Sequence, residues 1–392
     1  MRKGSLEYRR ASIGMLLVGL AIFSALYATQ ALLPTLTREM DIEPSTAALT
    51  VSAATGALAI CVVPASILSE KFGRGRVLII SALAATGLGL TLPLAQTIGQ
   101  LVALRAIQGA LLAGTPAVAM AWLSEELDER DLAGAMGLYI AGTSVGGLTG
   151  RLIPAFMLEF TGWRWALATS AAVSLMLAIA TALLLPEQRN FHPKASIRPG
   201  AEFRAVAQHL GNPRLVGLVA TAFIAMGVFV SMYNFFGFRA INDFGLAPSL
   251  AGLTYVMYLS GTWSSARAGS FVARFGRGRV VLAAAVLMLT GALVGASGNL
   301  YVTLFGLLIF TASFFALHST ASGWVGLIAD KDRAEASSLY VFCYYMGSSL
   351  LGATTGWAFE ALSWAGFVGV LAAMLAVLIA IAGALAVAEK RL

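Results

Sequence analysis

Apolar stretches longer than about 18 residues recur along nearly the whole chain. A stretch of that length is what a helix needs to cross a hydrocarbon core of about 30 Å. Read between their charged breaks, they predict twelve spans, at 12–35, 45–69, 77–95, 98–123, 133–159, 163–185, 214–237, 249–272, 280–298, 301–328, 337–361 and 364–388. The period-two alternation of barrel strands is absent, so the spans read as helices. Composition agrees, with 58% hydrophobic and 11% charged residues, against roughly 25% charged in a soluble domain. The N-terminus is basic and then apolar from Ala11 to Leu33. That stretch is long enough to span, and no small-residue cleavage site closes a short apolar core, so it reads as the first helix rather than a signal peptide.

The basic residues are not spread as nucleic-acid binding would need. The N-terminus, the even-numbered loops and the C-terminal tail hold 20 of the 26 Lys and Arg. The opposite loops hold only Arg38, Arg164 and Arg239, and Arg105, Arg151 and Arg267 fall within spans. The bias predicts that both termini are cytoplasmic. The segment 186–213 carries Pro193, Pro199, Gly200 and four Lys and Arg, with Arg214 directly after it. It reads as a cytoplasmic linker, with a short helix near Ala201–Leu210, between an N-terminal half (1–185) and a C-terminal half (214–392). Cys61 and Cys343 lie in apolar stretches without metal-ligand spacing and read as packing residues.

The peptide KFGRGRV at Lys71–Val77 returns as RFGRGRV at Arg274–Val280, 203 residues later. A second pair keeps that offset, Glu129-Arg130-Asp131-Leu132-Ala133 against Asp332-Arg333-Ala334-Glu335-Ala336. Two landmarks in one register predict a duplicated unit. The expected fold is an all-α membrane protein of 12 transmembrane helices in two pseudo-symmetric six-helix bundles, which can rock around a site between them.

Specific motifs sharpen this. Ser66 to Arg76 fills the frame of the loop signature G-x-x-x-D-R-x-G-R-[RK], with Ser66 for the glycine and Glu70 for the aspartate; the second copy has Gly269 but Ala273 in place of the acid. With twelve helices and a basic central loop, the chain resembles the major facilitator superfamily. The resemblance implies that this loop latches the two halves on the cytoplasmic side, with Glu70 as the acid, Gly73 in a tight turn, and Arg74 and Arg130 as basic partners. Arg105-x-x-Gln108-Gly109 resembles the superfamily's helix 4 motif, which is associated with proton coupling. Gly142-x-x-x-Gly146 in span 5 and Tyr27-x-x-Gln30-x-x-x-Pro34 in span 1 resemble the drug:proton antiporter branch that includes chloramphenicol- and arabinose-type efflux proteins. Gly147 stands where that branch usually has proline, and Arg151 where it usually has glycine.

An arginine inside a membrane is costly and faces protein or a watery cavity. Arg105 and Arg151 lie at similar depth and are expected to form one cationic spot, Arg151 alternatively pairing with backbone carbonyls or Glu159. Tyr27, Gln30 and Gln108 are polar candidates beside them. No Asp or Glu sits in the middle of any span, which favours neutral or anionic solutes over cationic ones. His318, the sole histidine within a span, could carry protons. Of 38 aromatic residues, 28 follow residue 190; Tyr233, Asn234, Tyr344 and Tyr345 are candidates to contact an apolar solute there. No nucleotide-binding loop or metal cluster is visible, so no cofactor, metal or enzymatic activity is expected. The expectation is a monomer in the bacterial cytoplasmic membrane, exchanging a small solute against protons, with uptake of an organic anion or sugar as the rival and a membrane sensor or enzyme as the more remote one. The expected partners are lipid, solute and protons, not nucleic acid.

Overall fold

A computed structural model describes residues 1–191, 208–329 and 333–389. Helical elements occupy all twelve predicted spans. Ten helical segments among the described residues are long and apolar enough to cross a membrane. Spans 8 and 11 fall outside that ten because they are more polar, not because helix is missing. Span 8 breaks into Pro248–Leu253, a 3-10 turn at Thr254–Met257 and Tyr258–Phe275, and carries Arg267. Span 11 is one 29-residue helix, Arg333–Ala361. Two of its hydroxyls turn back on the helix, Thr354 and Thr355 donating to the carbonyls of Leu350 and Leu351 at 2.8 and 2.7 Å, which satisfies them away from water. The short helix expected near Ala201–Leu210 lies largely outside the described residues.

Backbone proximity divides the chain into two compact units. One comprises Met1–Ile42, Leu49–Ile197 and Ala247–Leu253; the other comprises Glu43–Ala48, Arg198–Leu246 and Thr254–Leu392. The duplication is visible in how each unit packs internally. In the first, span 1 packs on spans 5 and 6, and span 3 on spans 4 and 6; in the second, span 7 packs on spans 11 and 12, and span 9 on spans 10 and 12.

The seam between spans 1 and 5 shows why small residues were needed. A methyl group at Gly142, Gly146 or Gly150 would strike the backbone of Leu16, Leu20 or Ser24 respectively. Both rows advance in steps of four, the spacing of residues stacked along one helix face. In the second unit Gly347 meets the Phe223 carbonyl in the same way.

The repeated loop has one geometry in both copies. Gly73 and Gly276 take φ +97° and +84°, a region open to glycine and strained for other residues. Each turns the chain directly into the next helix, Arg74–Gly89 or Arg277–Val294. The exposed first amides of these helices find side-chain acceptors. Gly75 N–H donates to Gln188 Oε1 at 3.1 Å, and Arg277 and Gly278 N–H donate to the Glu389 carboxylate at 3.1 and 2.6 Å. A carboxylate at a helix N-terminus is also favoured by the helix dipole.

Candidate substrate and coupling site

The first helix stops at Tyr27 and restarts as a 3-10 turn at Gln30–Leu32 followed by helix Leu33–Met40. Pro34 offers no N–H to the Gln30 carbonyl, which helps to keep the break open. A helix end leaves its last carbonyls without intrahelical donors, and here buried arginines gather around it.

Arg105 is fully buried. Its Nε donates to the Thr50 carbonyl at 3.0 Å. Nη1 donates to the Ala25 carbonyl at 2.9 Å and to Gln108 Oε1 at 2.5 Å, and Nη2 donates to the Leu26 carbonyl. Gln108 Nε2 in turn donates to the Ala85 carbonyl at 3.1 Å. The pair thus bonds span 4 to spans 1, 2 and 3. The glycine that follows has a matching role, since a side chain at Gly109 would collide with the Ala54 carbonyl of span 2.

Arg151 meets the same break through other groups. Its Nε donates to Gln30 Oε1 at 2.6 Å, Nη1 donates to the Gly147 carbonyl at 2.5 Å, and the guanidinium lies 3.9 Å from the centroid of the Tyr27 ring. Glu159, the acidic alternative, instead accepts from the Ser249 hydroxyl. Tyr27, Gln30 and Arg151, drawn from spans 1 and 5, therefore form one buried constellation. Arg105 reaches the chain one and two residues before Tyr27 through the backbone.

In the second unit the aromatic candidates are joined. The Tyr233 and Thr311 hydroxyls lie 2.7 Å apart. Thr311 already donates to the Leu307 carbonyl at 2.7 Å, so Tyr233 is the donor between them. Phe229 stacks on Phe314 at 3.9 Å, and Phe314 lies parallel to His318 at 6.0 Å. His318 Nδ1 and the Tyr340 hydroxyl are 3.0 Å apart, and the imidazole lies 4.5 Å from the Tyr344 ring. Tyr344 meets Tyr345 edge-on at 5.2 Å. Asn234 is buried on the same helix as Tyr233.

Tyr255 and Tyr258 complete this aromatic set, their rings 5.3 and 5.0 Å from that of Tyr233. Sequence reasoning missed them. Their i, i+3 spacing across the Thr254–Met257 turn is the signal that could have found them.

At the repeated loop, the acid that pairs with Arg74 is Glu125, at 2.5 Å, with Gln188 donating to its other oxygen at 3.0 Å. Glu125 also escaped the sequence reading, because it lies just past span 4 and outside the Ser66–Arg76 motif. Glu70 is half-buried, and Arg130 is exposed at the start of the span 5 helix.

Twelve helical spans with duplicated packing, ten of them among the described residues long and apolar enough to cross a membrane, define a multi-pass membrane protein. The chain belongs to the Major Facilitator Superfamily, whose sequence model matches residues 15–266, and it is a membrane transporter of that type. It is similar to the inner membrane transport protein YnfM of Escherichia coli (strain K12), 36% identical over 96% of this chain and 90% of that one. It is also similar to the MFS-type transporter YybF of Bacillus subtilis (strain 168), 33% identical over 100% of this chain and 96% of that one. Among solved structures, a bacterial homologue of the human lysosomal transporter Spinster, in an inward-facing and occupied conformation, superposes with a TM-score of 0.78 over 99% of this chain and 98% of that one. At 15% identity it speaks for the fold alone.

Proposed function

We propose that the protein is a proton-coupled exporter of small neutral or anionic, partly apolar solutes, of the drug:proton antiporter kind. It works by alternating access in the bacterial inner membrane, with both termini in the cytoplasm. The observation that carries this reading is the Tyr27–Gln30–Arg151 constellation. A guanidinium backed by an aromatic face and fixed by an amide offers an anionic or dipolar solute group a charged, directional partner. The lack of a mid-span carboxylate in the sequence supports the same preference of charge.

The other residues divide the work. Arg105 and Gln108 act as positioning residues, holding the carbonyls that precede Tyr27. The aromatic set around Phe229, Tyr233 and Phe314 supplies apolar surface with a few hydroxyls, suited to the solute's apolar part. His318 is the proposed proton carrier, with Tyr340 as its partner, their Nδ1 and hydroxyl 3.0 Å apart. Arg74 and Glu125 stabilise the repeated loop.

Flux into or out of proteoliposomes under an imposed pH gradient tests the reading. Solute movement is expected to run against proton movement and to collapse when a protonophore dissipates the gradient. Flux indifferent to the gradient removes the coupling. Cells that accumulate a labelled organic anion, rather than resisting it, would favour the uptake reading.

A further inference from the structure

A second site lies at the start of span 1, independent of the reading above. A cleft of about 470 Å³ opens around the N-terminal end of helix Leu6–Tyr27, lined by Lys3, Leu6, Arg9, Ser12 and Leu138 among others. Three observations converge on it. The helix begins here, capped by Ser5, whose hydroxyl accepts from Tyr8 N–H at 3.1 Å; the first-turn amides carry partial positive charge. The Lys3 ammonium and the Arg9 guanidinium have no partner among the described residues. The nearby acids already have partners, Glu7 with Arg189 at 2.7 Å, Asp128 with Arg2 at 3.3 Å, and Asp131 with the Lys3 backbone N–H at 2.7 Å. Finally, Ser12 is 3% exposed, and its hydroxyl has no hydrogen-bond partner among the described residues. A buried hydroxyl left unpaired costs free energy, so a group within the cleft that completes it would be bound favourably.

We propose that this cleft holds the phosphodiester headgroup of an anionic glycerophospholipid. Lys3, Arg9 and the first-turn amides face the phosphate. The Ser12 hydroxyl meets an ester or glycerol oxygen. Leu6 and Leu138, 70% and 39% exposed, lie along the acyl chain. The apolar rim favours a lipid over free phosphate, which would leave both leucines uncovered. So does the position of the cleft, where the basic N-terminal segment meets the apolar run and the headgroups of a bilayer would lie.

The test is the thermal unfolding midpoint of the purified full-length protein in detergent, titrated with phosphatidylglycerol, phosphatidylcholine or inorganic phosphate. Phosphatidylglycerol is expected to raise the midpoint more than phosphatidylcholine does, and phosphate to leave it unchanged. The K3Q/R9Q double variant is expected to lose at least half of the phosphatidylglycerol-specific shift. Ser12→Ala, which keeps both charges, is expected to reduce it, while the charge-matched control R274Q/R279Q retains it. Equal shifts with the two lipids, an equal loss in the control, or an unchanged shift in Ser12→Ala overturns the site. A shift reproduced by inorganic phosphate overturns the lipid as its source.

Discussion

The Arg151 guanidinium stacks on the Tyr27 ring at 3.9 Å while its Nε holds Gln30 at 2.6 Å. One charged group from span 5 thereby fixes two side chains on either side of the break in span 1. A cation over an aromatic face contributes roughly 0.5–2 kcal/mol, and the hydrogen bonds add direction.

This geometry predicts a graded series for transport. Tyr27→Phe keeps the ring and is expected to transport within about threefold of the parent protein, whereas Tyr27→Leu loses the stacking and about tenfold of the rate, as about 1.4 kcal/mol would give. Arg151→Lys keeps the charge but not the planar fork and should fall with Tyr27→Leu. Initial rates in proteoliposomes, normalised to folded protein, decide this. Equal rates for Tyr27→Phe and Tyr27→Leu would remove the ring from the site.

Arg105 is expected to behave differently. Arg105→Ala removes four hydrogen bonds, each worth about 0.6 kcal/mol between membrane helices, so about 2 kcal/mol of stability should go. Thermal unfolding in detergent should show a clear fall for Arg105→Ala. An Arg105→Ala protein that melts like the parent would show that Arg105 does not brace spans 1, 2 and 4.

Two glycines of one helix should respond oppositely to the same change. Gly142→Ala pushes a methyl group into the Leu16 carbonyl, while a methyl at Gly137 meets nothing within 4 Å. Gly142→Ala is expected to cost about 1–3 kcal/mol, the usual range for overpacking. Gly137→Ala should be neutral or stabilising by up to about 1 kcal/mol. Matching melting curves for the two variants would refute the close seam between spans 1 and 5.

Arg74 and Glu125 should be coupled. R74Q and E125Q are each expected to lower stability, and the double variant should lose less than their sum, with a coupling of about 1 kcal/mol. The partners are 16% and 30% exposed at the side chain, which keeps the estimate modest. Additive effects in a double-mutant cycle would show that the pair is incidental.

Much of the architecture was legible because its causes are local or repeated. Span length is set by the thickness of the hydrocarbon core, so apolar run length alone located the helices. The FGRGRV repeat placed two glycine turns that both adopt positive φ, because a conformation closed to other residues needs glycine wherever it recurs. The four-residue glycine steps of span 5 announced a close helix contact, though not that span 1 would supply it.

What the sequence alone determined, then, was a duplicated twelve-span membrane protein and the residue types that its interior had to accommodate. The tertiary structure decided who meets whom. Arg105 could have faced water, lipid or protein; it meets carbonyls 55 and 80 residues away because helix packing brought a broken helix end beside it. Arg151 found Gln30 across 121 residues of chain rather than Glu159, eight residues further along its own span. Arg74 took Glu125 as its partner. Buried charges take the best geometry that packing brings within about 3 Å, and the order of residues along a chain carries no such distance.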